Sequence, residues 1–108
     1  MESIILAVFG VAIIVIGLVH RTGNISMLHS YHRKRVSEED RIPFGKAVGS
    51  GFIIIGGGMV IAGGLTFAAT LLENNICETV GKIAVIAGLV VGLGISFYAM
   101  IKYNKGIF

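Results

Sequence analysis

With 108 residues, the chain is long enough for a single domain and no more. Hydrophobic residues supply 55% of it and charged ones 14%, at a mean hydropathy of +0.88, whereas a soluble domain needs about 25% charge to cover its surface. The charges are also clustered, so the composition excludes a soluble globule and describes a chain whose solvent is lipid. The net charge of +3 is no pointer to nucleic acid.

The first uncharged run extends from Ser3 to Val19. A helix needs about 20 apolar residues to cross a hydrocarbon core of about 30 Å, so a span over 3–19 is slightly short and sets His20 at the interface. Met1-Glu2-Ser3 lacks a positive charge, and no small-x-small cleavage site precedes His20-Arg21. The run therefore reads as a retained helix rather than a leader. Gly10 and Gly17 lie seven residues apart within it.

The loop 20–46 follows, with Arg21, Arg33, Lys34, Arg35, Arg41 and Lys46. Asn24 can cap a short helix over Ile25–Val36, with Ile25, Leu28, His32 and Val36 on one side and Arg33 and Lys34 towards another. A basic amphipathic helix of this kind lies among lipid headgroups and attracts anionic lipid at about 1 kcal/mol per basic residue. Arg33, Lys34 and Arg35 are thus the candidate contacts for lipid or for an acidic partner. Ser37-Glu38-Glu39-Asp40 reads as a cap with acids in a first turn, which Pro43 then limits. Phe44-Gly45-Lys46 leads into the next span.

His20, His29 and His32 raise a metal question, with His29 and His32 at a spacing that shares a helix face. A zinc site normally offers three or four defined ligands. This loop has no cysteine, and its carboxylates form a run at a helix start, so no metal and no cofactor is expected. A glycine-rich phosphate cradle and a nucleophile–base pair are also missing from the sequence, so the chain does not read as an enzyme.

The second run, Ala47 to Leu72, gives a span over 47–72, longer than a bilayer requires, so its helix should tilt or protrude. Glu73 to Thr79 reads as a short loop holding the one cysteine, Cys77, which cannot bridge internally. The third run, Ile83 to Ile101, gives a span over about 82–101. Strands are excluded as a rival, since lipid-exposed strands need a closed barrel and these runs lack period-2 alternation.

Lipid tails are as apolar as leucine, so helices in a bilayer are held by close approach through small residues. Gly49, Gly56 and Gly63 in span two, and Gly81 and Gly88 in span three, repeat the seven-residue spacing of Gly10 and Gly17, which keeps a stripe on one face. Span two carries two further stripes, Gly57 with Gly64 and Gly51 with Gly58. Span three has a four-residue ladder of Ala84, Gly88, Gly92 and Ser96. Span two, small on several faces, is expected in the middle, touching both neighbours and a further copy.

Of the nine basic residues, only Lys82 falls between spans two and three, while Lys102 and Lys105 follow span three. The positive-inside rule then puts the N-terminus outside and the C-terminus in the cytoplasm. Asn24-Ile25-Ser26, a glycosylation sequon by pattern, lies on the wrong side for that use. No ionisable residue lies deep in a span, which argues against a proton-coupled transporter. Thr66, Thr70, Ser96 and Tyr98 are the conspicuous polar groups there, with hydroxyls expected to bond nearby carbonyls. The fold expected is an all-α membrane protein: three transmembrane helices in a glycine-rich antiparallel bundle, with the amphipathic loop helix on the cytoplasmic side.

A first span, then Tyr31-His32-Arg33-Lys34-Arg35-Val36-Ser37-Glu38-Glu39-Asp40, then Phe44-Gly45-Lys46 opening a glycine-rich span, resembles the DUF3784 family of small prokaryotic membrane proteins. The layout is similar, more loosely, to the SdpI-type immunity and signalling proteins. The resemblance implies a prokaryotic cell membrane and supplies no catalytic residues. Two functions remain open: a structural or interaction subunit that self-associates or binds a membrane partner, and a homo-oligomeric small channel or transporter.

Overall fold

The computed structural model describes residues 2–23, 36–73 and 75–106. They form three α-helices in sequence, α1 (Glu2–Arg21), α2 (Arg41–Leu72) and α3 (Asn75–Tyr103). All three are long and apolar enough to cross a membrane. The 20 residues of α1 rise about 30 Å, close to the thickness of a hydrocarbon core. The 32 of α2 and 29 of α3 rise about 48 and 44 Å, and the whole body measures 51 × 19 × 18 Å.

Both long helices overrun the spans expected from hydropathy. α2 begins at Arg41 rather than 47. The Asp40 amide donates to Ser37 Oγ at 3.2 Å, and the Phe44 amide donates to the Asp40 carbonyl at 2.8 Å. Pro43 falls in the first turn, where a missing N–H breaks no helical bond. The turn that Pro43 was expected to limit is therefore continuous with α2. At the other end Glu73 takes a left-handed conformation (φ 52°) and donates its N–H to Ala69 O, ending α2. α3 starts at Asn75, so Cys77, expected in a loop, lies half-buried in the first helical turn.

α2 is the middle helix. α1 packs on one of its flanks and α3 on another, with no comparable contact between α1 and α3. The backbone of α2 meets each neighbour through a different glycine row. A Cβ on Gly10 would lie 2.7 Å from Gly56 O, one on Gly56 2.5 Å from Gly10 O, and one on Gly63 2.7 Å from Ser3 O. Gly17 and Gly49 face each other in the same way. The partners run in reverse order, so the pair is antiparallel. Two residues further along α2, a turn of about 160°, Gly51 meets Gly92 and Ser96, and Gly58 meets Ala84 and Gly88. Gly81 closes the row against Ala62, while Gly88 also abuts the Ile54 carbonyl and Gly92 the Ile55 side chain.

The remaining row is different. Gly57 and Gly64, and Gly94 on α3, have no neighbour among the described residues within 4 Å of where a Cβ would stand. Large apolar side chains stand exposed along all three helices, among them Val8, Val15, Ile61, Leu72, Ile86 and Val90. That surface matches hydrocarbon and not water. A cluster of buried apolar side chains lies at the end where α1 stops, α2 starts and α3 stops. There Phe44, Val48, Ala99 and Met100 are buried, with Val36, Ala47, Phe52 and Tyr103 packed round them.

Candidate functional site

The amphipathic helix expected over 25–36, Val36 excepted, lies outside the described residues, and Arg33, Lys34 and Arg35 lie outside them with it. The site can therefore be built only from what brackets that loop. This basic end of the bundle carries Arg21, Arg41, Lys46, Lys102 and Lys105. The opposite, acidic end carries Glu73, Glu78 and Lys82.

Close backbone approach organises the basic end. Gly45, one turn into α2, lets the chain sit directly on the His20 carbonyl, a place where no Cβ fits. Gly23, at φ 93°, turns the chain off α1 beside Ile42. His20, expected at the membrane interface, is fully buried within the bundle at the end of α1, its ring edge-on to Phe52 at 5.0 Å between centroids. Neither ring nitrogen has a hydrogen-bond partner of good geometry among the described residues. Across the bundle, Phe44 meets Tyr103 edge-on at 6.2 Å. Lys102 Nζ stands 5.2 Å from the Tyr103 ring centroid and 6.0 Å from that of Tyr98, a cation–π arrangement. Asn104, fully buried, donates from Nδ2 to Gly106 O at 2.9 Å and ties down the end of α3.

Arg21 crosses from α1 onto α2. Its stem lies over Gly49, where a Cβ would come 2.7 Å from Arg21 Cγ, and its Nη1 donates to Ser50 Oγ at 2.5 Å. Ser50 Oγ in turn donates to the Lys46 carbonyl at 2.7 Å. The ion pairs among the described residues are elsewhere: Arg41 with Glu38 at 3.6 Å and Lys82 with Glu78 at 3.5 Å. Both are exposed and contribute little to stability.

Among the hollows towards the acidic end, two differ in chemistry. An apolar groove of about 490 Å³ runs between α1 and α2 along Ile4, Val8, Val11, Gly64 and Phe67. A polar hollow of about 430 Å³ is lined by Thr66, Thr70, Glu73, Asn75 and Glu78. Thr70 Oγ1 donates to the Thr66 carbonyl, as expected for a hydroxyl in a span. Ser96 departs from that expectation: its Oγ is buried against Gly51 with no hydrogen-bond partner.

Among the described residues no three metal-ligating side chains come together, and His29 and His32 lie outside them. The described side chains can pack, bind cations through aromatic faces and bind anions through Arg21 and Lys46. No hydroxyl or thiol among them is shown hydrogen-bonded to a side-chain base. The Arg21–Ser50–Lys46 arrangement is absent from the sequence reading, although Gly49, the residue that lets Arg21 cross, was visible there as a packing glycine.

The fold thus defines a class: an all-helical chain with three helices long and apolar enough to cross a membrane, packed in a row through glycine. Nothing narrower follows from likeness, since no family model, curated protein or solved structure matches the chain.

Proposed function

We propose that the chain is a small multi-pass subunit of a prokaryotic cell membrane that acts by association, with itself or with another membrane protein, and catalyses nothing. It sits with the N-terminus outside and the C-terminus in the cytoplasm, because eight of its nine basic residues lie at one end. Arg33, Lys34 and Arg35 hold the loop helix against anionic lipid or an acidic partner. Membership of the DUF3784 family is part of the same reading and rests on residues 31–46.

The observation that carries the association is Gly64. It repeats the seven-residue spacing of glycines that meet α1, yet it has no neighbour and opens into the apolar groove beside Phe67 and Val8. A glycine in a helix interior costs about 1 kcal/mol relative to alanine, and close approach of a further helix offsets that cost. Oligomeric state of the full chain in nanodiscs tests it. Gly64→Leu should shift the population to monomer, and an unchanged distribution refutes association through this groove.

A pore between associated copies is the second reading, favoured by the polar hollow of Thr66, Thr70, Glu73, Asn75 and Glu78 at the acidic end. Ion flux from liposomes separates the two. Flux that disappears with Gly64→Leu supports the pore, whereas association without flux supports the interaction subunit.

A further inference from the structure

The open face of α2 has a second half, towards the basic end, with a different chemistry from the groove at Gly64. There the structure gathers two cations over an apolar gap. The Arg21 guanidinium has five N–H donors, of which Ser50 Oγ takes one. That bond holds the guanidinium beside the first turns of α2, and its other donors have no partner among the described residues. Lys46 leaves the helix one turn before Ser50 and is exposed. Neither Arg21 nor Lys46 has an acidic partner among the described residues.

Seven residues beyond Ser50, about 10 Å along the axis, Gly57 leaves an empty place on the same face. The residues three and four positions away flank it. Ile53 and Val60 lean to the α1 side, where they touch Gly17 and Gly10, and Ile54 and Ile61 stand exposed on the other. A glycine between branched aliphatic residues makes a shallow furrow on this face of α2, which towards the basic end carries Ser50, with the Arg21 guanidinium bonded to it, and Lys46.

We infer that this face is a discrete binding site for one anionic glycerophospholipid, whose phosphate is held by Arg21 and Lys46 and whose acyl chain lies in the furrow over Gly57. Charge complementarity selects the occupant. A neutral helix would leave both cations bare, and a zwitterionic lipid brings its own cation up against them, whereas an anionic lipid offers a phosphodiester that accepts from the guanidinium fork and the ammonium with no opposing charge beside it. The dimensions agree, since Gly57 lies about 16 Å along the axis from Lys46, close to the depth of about 15 Å of one hydrocarbon leaflet, so an acyl chain anchored there reaches it. The site is separate from Arg33, Lys34 and Arg35. It is also separate from the association groove, whose defining glycine is Gly64.

Native mass spectrometry of the intact chain released from mixed micelles reads bound lipid and oligomeric state in the same spectrum. The probes are dioleoyl phosphatidylglycerol, dioleoyl phosphatidylcholine and glycerol phosphate without chains. The chain should retain phosphatidylglycerol over phosphatidylcholine by about 30-fold, the effect of two basic residues near the surface. It should not retain glycerol phosphate. Arg21→Gln with Lys46→Gln should abolish the preference, whereas Arg21→Lys with Lys46→Arg should keep most of it and controls for folding. Gly57→Leu, whose Cβ meets nothing among the described residues within 4 Å, should lower retention of both lipids and leave the headgroup preference intact. Lys102→Gln with Lys105→Gln should change nothing. The proposal is overturned if the Arg21/Lys46 double variant keeps its preference, or if the tail lysine variant loses as much. Full lipid retention in Gly57→Leu, or retention of glycerol phosphate at the level of the lipid, overturns it as well. Loss of oligomer with the lipid peak unchanged would count against the association reading and leave this one standing.

Discussion

Gly56 and Gly57 are adjacent in α2, equal in helix propensity and opposite in surroundings, so alanine at each isolates what the α1 contact requires. A Cβ on Gly56 would stand 2.5 Å from Gly10 O and 2.7 Å from Ile14 Cγ1, whereas one on Gly57 meets nothing within 4 Å. Real Cβ contacts essentially never fall under 3.0 Å, so Gly56→Ala must push the helices apart by at least about 0.5 Å. A radial gap of that size forfeits about a quarter of the dispersion energy of each contact it opens. The contacts affected run from the Ser3–Gly63 crossing to the Gly17–Gly49 crossing. Overpacking of this kind costs about 1–3 kcal/mol, against which the gain in helix propensity is about 1 kcal/mol. Gly57→Ala receives the propensity gain alone. The propensity gain is common to both, so the two variants should differ by about 1–3 kcal/mol, a factor of about 5–150 in the ratio of folded to unfolded chain. Reversible unfolding in mixed micelles, followed by far-ultraviolet circular dichroism, measures both. Equal stability of the two variants, or a more stable Gly56→Ala, would show that the glycine row does not set the helix spacing.

Two further outcomes follow from the proposed orientation and the basic loop. Cys77 lies half-buried in the first turn of α3 at the acidic end, so a membrane-impermeant thiol reagent should label it from outside intact cells, and labelling from the cytoplasmic side alone would reverse the topology. Changing Arg33, Lys34 and Arg35 together to Gln leaves Arg21, Arg41, Lys46 and the tail lysines to fix orientation. That variant should insert correctly and lose salt-sensitive protection of its loop from protease in anionic vesicles, while unchanged protection would leave topology as the only role of the three.

The number and nature of the helices were legible because an uncharged run has one solution in hydrocarbon, a helix with every backbone group paired. Their ends were not legible in the same signal. Hydropathy marks where a chain is compatible with lipid, and the backbone bonds of α2 and α3 continue past that limit through Arg41–Lys46 and Asn75–Lys82. Glycine spacing showed three rows on α2 but not which of them meets a neighbour. Gly56 and Gly57 repeat identically to Gly63 and Gly64, and only the register against Gly10 and Gly17 turns one row inward and leaves the next, rotated by about 100°, outward. The burial of His20 was beyond the sequence for a related reason. It depends on Gly45 admitting the chain to the His20 carbonyl and on Phe52 reaching the ring, both contacts across 25 residues or more of chain. The three loop cations singled out from composition lie outside the described residues. The structure does place Arg21, Arg41 and Lys46, which in the sequence are part of the charge asymmetry that sets orientation.

The row arrangement of the helices bears on how the molecule is made. Each helix packs on the one synthesised just before it, and α1 and α3 contribute almost nothing to each other. Every major interface is therefore complete when the later of its two helices arrives, and no earlier contact has to open to admit a newcomer. Assembly can proceed one helix at a time at the pace of the ribosome, with α1 and α2 already zipped while α3 is still being translated. A chain built this way tolerates a slow or interrupted last step, because the half that has been laid down is already a packed antiparallel pair.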